Sequence, residues 1–172
     1  MTKQNTQDLH ILVLDNDTGA RRPKGFVLKL SLLIAFSWSL FQLWIASPLP
    51  FVLAENISFF KILVIDSTKS RYIHLSFALI LVFISYPAFS SSPRSRVPII
   101  DWAIAIIAVF SALYLLIFYN QLSQRAGMAT NFDVVISLLG IVFLIEATRR
   151  ALGPPLAVIA TIFLLYTYAG PY

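Results

Sequence analysis

Apolar residues along this chain gather into five blocks, most of them near the length that a membrane-spanning helix needs. Crossing about 30 Å of hydrocarbon takes roughly 20 mostly apolar residues. The first block runs from about Phe26 to Ala46 (FVLKLSLLIAFSWSLFQLWIA) and is closed by Pro48 and Pro50. The second covers about Tyr72–Phe89 (YIHLSFALILVFISYPAF), and the third about Ile99–Tyr119 (IIDWAIAIIAVFSALYLLIFY), entered through Pro98. The fourth, about Asp133–Thr148 (DVVISLLGIVFLIEAT), and the fifth, about Pro155–Ala169 (PLAVIATIFLLYTYA), are shorter, with a tight break between them. None carries a polar stripe at the helical period, so each is surrounded by lipid or protein. Prolines, glycines, serines and charges separate the blocks. The expected fold is an all-α integral membrane helical bundle of about five transmembrane helices.

The connecting segments add a direction. Lys3, Arg21, Arg22, Lys24, Lys29, Arg94, Arg96, Arg149 and Arg150 fall on one side of a five-span chain. Lys61, Lys69, Arg71 and Arg125 fall on the other. Cytoplasmic loops hold the excess of Lys and Arg, so the N-terminus is expected in the cytoplasm and the C-terminus outside. Between the first two blocks, Ile57, Phe60, Leu63 and Val64 are spaced for one helical face. A short amphipathic helix in the outer interface near 55–66 and a β-like or irregular loop fit this spacing equally well. Val52–Ala54 loosely resembles a signal-peptidase site, but the polar stretch before Phe26 and the length of the first block exceed a signal peptide's proportions. The first 25 residues read as a polar cytoplasmic tail of poor order, with a short strand or helix at Leu9–Leu14.

Composition narrows the class. Of 172 residues, 58% are hydrophobic and 12% charged, half the charge of a soluble domain. Mean hydropathy is +0.79. A soluble enzyme, a nucleic-acid binder and a disordered chain are all disfavoured. With no cysteine, a disulfide framework and a cysteine-ligated metal are excluded. The pI of 9.7 reports orientation rather than a nucleic-acid partner.

Few residues offer chemistry. Ionisable groups at membrane depth merit a functional reading, and Glu146 is the foremost. Arg149 and Arg150 lie three and four residues further on, on one helical face. The group reads as a buried ion pair that fixes helix packing, as an interfacial pair with snorkelling arginines, or as a proton relay. A relay would need a second carboxylate, which the neighbouring sequence does not supply. Asp101 and Asp133 each open an expected helix and read as caps. Thr130-x-x-Asp133 resembles a capping box. Gly153-Pro154-Pro155 stops one helix and starts an antiparallel neighbour. His74 reads as an interfacial hydrogen-bonding residue. With His10 it makes no metal site, and Ser90–Ser92 has no nucleophile-elbow context. Trp38, Trp44, Trp102 and the tyrosines resemble aromatic belts. No catalytic residue, cofactor or metal is expected. Gly140 is the only glycine inside a central apolar run, and a transport site would need broken, polar helices at mid-membrane.

The residues from Arg125 to Tyr172 resemble the junction region of fused TRAP transporter permeases, particularly the TAXI type. The resemblance is carried by Arg125-x-Gly127, Asp133, the run EATRR at 146–150, Gly153 and the closing Tyr168-Ala-Gly170-Pro171. Tyr72-Ile-His74, Tyr86-Pro87 and Asp101-Trp102 are similar too, extending the likeness over roughly residues 45–172. It implies the N-terminal small-subunit (Q-type) region of such a permease. Residues 26–150 would be a four-helix scaffold domain, and 151–172 a connecting helix toward a large elevator-type domain. The partners implied are that large domain, an extracytoplasmic substrate-binding protein and the lipid bilayer. The location implied is the cytoplasmic membrane of a bacterium or archaeon. Fused permeases continue beyond the point where this sequence stops, so the substrate and ion sites are expected outside it. The competing expectation is an unrelated integral membrane interaction or assembly protein without a transport role.

Overall fold

A computed structural model describes residues 19–89 and 91–170. All regular structure among them is helical: α1 Phe26–Ala46, α2 Leu49–Asn56, a 3-10 helix Ser58–Leu63, α3 Ser67–Ser85, α4 Ile99–Ile117, α5 Tyr119–Gln124, α6 Asn131–Leu152 and α7 Pro154–Ala169. The expected strand or helix at Leu9–Leu14 lies outside the described residues, as do Lys3, His10, Ser90 and Pro171.

Local chemistry sets most boundaries. Ser47 is extended (φ −96°, ψ 159°) because it precedes Pro48, and α1 ends there. Asp66 starts α3 earlier than the apolar pattern predicts. Its carboxylate accepts the Thr68 and Lys69 N–H groups at 2.8 and 2.9 Å. Two donors that the first turn leaves unpaired are thereby satisfied, and the polar run Ser67–Arg71 becomes helical. Pro87 ends α3 through an extended Tyr86. Gly153, at φ +91°, reverses the chain in a conformation open to glycine, and Pro154 opens α7.

The segment near 55–66 forms neither a single amphipathic helix nor an irregular loop. Two short helices meet at an extended Ile57 (φ −134°, ψ 113°). Trp44 of α1 donates its indole N–H to the Leu63 carbonyl at 3.1 Å. Its ring stacks obliquely on Phe60, with centroids 6.1 Å apart. The outer segment is thus folded back against the end of α1.

Among the described residues, three helices, α1, α4 and α6, are long and apolar enough to cross a membrane. α3 has 19 residues but begins with a polar, charged turn and a half. α7 has 16 residues, about 24 Å of helix. The core lies where α3, α4 and α6 meet: Leu79, Phe83, Ala105, Ala108, Ala112 and Ala147 are buried together. Alanines on α4 let the backbones approach closely, the usual device where lipid removes the hydrophobic drive for helix association. Phe83 fills the space beside them, edge-on to Phe143 at 6.4 Å. α3 and α6 both run antiparallel to α4. α1 packs mainly on α3 and α7 mainly on α6, so both are peripheral.

Candidate functional site

The polar side chains of the bundle concentrate at its two ends. At the first end, four parts of the chain converge: the residues before α1, the end of α3, the start of α4 and the end of α6. Asp101, in the first turn of α4, is 4% exposed. One carboxylate oxygen accepts from Arg21 Nη2 and the other from Arg150 Nη1 at 2.8 Å. Arg150 Nε continues to Glu146 at 2.7 Å. Glu146 in turn receives both Nε and Nη2 of Arg149, each at 2.7 Å. The result is an alternating chain of charge, Arg21–Asp101–Arg150–Glu146–Arg149, in which both carboxylates use both oxygens.

Arg21 and Arg150 also answer the backbone. Arg21 Nη1 donates to the Phe83 and Ile84 carbonyls at 3.0 and 3.2 Å. These belong to the last turn of α3, whose carbonyls lack helical partners and carry the negative end of the dipole. The Arg21 N–H donates to Ser85 O at 2.6 Å and the Arg22 N–H to Arg94 O at 2.9 Å. Arg149 Nη2 reaches Ala88 O at 2.9 Å. Arg150 lies 4.9 Å over the buried Phe83 ring, a cation–π contact. Unpaired, these charges would cost several kcal/mol each. Paired, they fix the register of α3, α4 and α6.

Two expectations change here. Asp101 does not cap α4: Pro98 is the N-cap residue and no side chain caps it. Its carboxylate is drawn instead to two buried guanidiniums, which it links. Within the segment expected as a polar tail, Arg21 is 5% exposed and tied across the bundle, and residues 1–18 lie outside the described residues. Glu146, Arg149 and Arg150 do come together, and Arg150 extends their cluster to Asp101.

At the second end, Thr130 and Asp133 form a reciprocal capping box at the start of α6. Asp133 Oδ2 accepts from the Thr130 N–H and hydroxyl, both at 2.8 Å. Asp133 Oδ1 accepts from Tyr114 Oη and from Arg125 Nη2, the latter at 2.9 Å. One carboxylate thus caps α6 and ties it to the end of α4. On the same end, His74 Nδ1 is approached by Trp38 Nε1 at 3.2 Å and by the Gln42 amide, pinning α1 to α3. Outside the apolar helices, the Asp66 carboxyl is held below its usual value, chiefly by the Lys69 N–H and also by the Thr68 N–H and the Lys69 charge.

Arg21, Tyr114 and Arg125 are the members that sequence reasoning missed as partners. Arg21 lies 80 positions from Asp101 in a stretch with no periodic pattern, so no local signal marks it. Tyr114 reads as one more aromatic near a helix end. Among the described residues, no group of three or more His, Asp or Glu side chains is placed to hold a metal ion. No family model, curated protein or solved structure matches the chain.

Proposed function

We propose that this chain is the small scaffold domain of a TRAP-type secondary transporter permease of the TAXI class. It would stand in the cytoplasmic membrane of a bacterium or archaeon, with its N-terminus in the cytoplasm and α1, α3, α4, α6 and α7 as five spans. Its role is static: it supports a large elevator-type domain that carries organic acids with an ion gradient, fed by an extracytoplasmic binding protein. It does not transport alone.

One observation carries this reading. The carboxylates of α4 and α6 (Asp101, Asp133 and Glu146) are all committed to arginine, tyrosine or capping partners at the ends of the bundle. Between the ends lie Leu79, Ala108 and Ala112, and the buried Ser76 and Ser111 hydroxyls are spent on carbonyls of their own helices. Ion and substrate sites in membranes place polar groups at mid-depth on interrupted helices, whereas cross-links at both ends suit a rigid support. The likeness over Arg125–Tyr172 supplies the transporter class. The sidedness of charge supports the orientation: at the first end, Arg21, Arg22, Lys24, Arg94, Arg96, Arg149 and Arg150 stand with only Asp101 and Glu146 among the described residues.

Co-expression tests the proposal. The tagged chain should co-purify with a TAXI-type large permease domain from the same genome, and ion-driven uptake in proteoliposomes should need both. Uptake by this chain alone overturns the scaffold role. A chain that never associates with such a domain favours an unrelated membrane assembly protein.

A further inference from the structure

Beside the ion-pair chain at the first end opens a cavity of about 360 Å³, lined by Arg94, Arg149 and Arg150, by Gly19 and by the Pro87–Phe89 turn. Among the described residues, the ion-pair chain on its wall carries a surplus of positive charge. The alternating chain holds three guanidiniums and two carboxylates, and all four carboxylate oxygens are occupied. The surplus positive charge falls at its Arg149 terminus, on the cavity wall. Arg149 is fixed there through Nε and Nη2, by Glu146 and by the Ala88 carbonyl, and its Nη1 has no partner among the described residues. Phe89 stands 5.8 Å from the same guanidinium. Arg94 makes an interaction of its own in the chain, and the five donors of a guanidinium leave room for a second acceptor.

Position matters as much as charge. The cavity lies where α3 and α6 end, at the level where an apolar bundle meets the headgroups of a bilayer. Arginine forks match the oxygens of a phosphate in geometry as well as charge. We propose that this cavity binds a phosphate-ester anion, held by Arg149 Nη1 and by Arg94 against a wall fixed by Arg150. The anion is the headgroup of an anionic phospholipid or a soluble phosphate ester. The site is independent of any transport role.

The test uses the full chain purified in detergent. One arm measures retention of phosphatidylglycerol by native mass spectrometry. The other measures thermal stabilisation by glycerol phosphate against sodium chloride of equal ionic strength. Binding in the first arm alone identifies a lipid site, and binding in the second a soluble-ester site. In whichever arm responds, Arg94→Gln should weaken binding at least fivefold. Arg149→Lys keeps the charge facing Glu146 but loses the Nη1 donor on the cavity wall, and should weaken binding by a similar factor. Arg96→Gln removes an equal charge outside the cavity and should change binding less than twofold. The proposal is overturned if neither probe binds, if Arg96→Gln is as damaging as Arg94→Gln, or if both cavity variants bind as the parent does.

Discussion

Asp101 shows how much one carboxylate can be asked to hold. Among the described residues it is the only counterion shared by Arg21 and Arg150, whose side chains are 0% and 2% exposed. Removing one partner of a buried pair leaves an uncompensated charge, at about 3–5 kcal/mol. Asp101→Ala should therefore destabilise the folded chain by about that amount, read from SDS or thermal unfolding in micelles. A loss below about 1 kcal/mol would show the cluster to be hydrated rather than buried. Glu146→Gln, at the more exposed end of the same chain of charge, should cost less, about 1 kcal/mol. Asp66 supplies a pH dependence. Its folded carboxyl titrates below the usual value of 3.8, so its contribution is fully present above the unfolded value. It is lost as pH falls through the folded one. Amide exchange protection at Thr68 and Lys69 should drop in that acidic window, and Asp66→Ala should abolish the dependence. Asp133 and Asp101 also mark the limits of sequence reading. A capping aspartate answers to neighbours two and three residues away, so Asp133 is legible with Thr130. Asp101 occupies the same helical position but answers to Arg21 and Arg150, which no local spacing brings near.

At the scale of elements, the apolar blocks anticipate the helices because an unpaired backbone group is so costly in lipid that a continuous apolar run has little choice but helix. Only the ends shift. α3 begins at Ser67, against an apolar start at Tyr72, because Asp66 gives the polar turn a cap. α6 runs on to Leu152 because Arg149 and Arg150, polar in the sequence, are satisfied by Glu146, Asp101 and Ala88. What the blocks do not reveal is which face of each helix meets which neighbour. On α4 the answer is the alanine stripe. Ala105 and Ala108 are 0% exposed against α3 and α6, and a larger side chain there has to force the backbones apart. Ala108→Leu should cost about 1–3 kcal/mol, while the same change at the exposed Ala103→Leu or Ala126→Leu should fall within about 0.5 kcal/mol. Unfolding midpoints of the variants, compared in the same detergent, distinguish buried stripe from lipid-facing surface.

For the whole molecule, the antiparallel order of α3, α4 and α6 puts the α3–α4 and α6–α7 connections at one end and the α4–α6 connection at the other. The absence of cysteine makes this directly measurable with single introduced thiols. In intact cells a membrane-impermeant maleimide should label Lys61→Cys and Met128→Cys and spare Arg96→Cys until the membrane is opened. The reverse pattern would invert the proposed orientation. Labelling of all three from outside would mean that the arginine-rich end is not cytoplasmic and that the bundle does not cross as drawn.

Composition and the blocks of apolar residues are enough to determine that this chain is helical and apolar on every side, since those properties follow from short-range backbone satisfaction and transfer free energy. The Thr130–Asp133 cap, the Gly153 reversal and the Glu146–Arg149–Arg150 face are likewise legible, each lying within a few residues. The tertiary structure alone decided that Arg21 belongs to the core, that Asp101 is a hub and that Tyr114 and Arg125 complete the site of Asp133. Electrostatic and hydrogen-bond partners are chosen by distance in space. In a bundle that distance is set by the packing of alanine stripes and loop geometry, which brings together residues 80 positions apart in the chain.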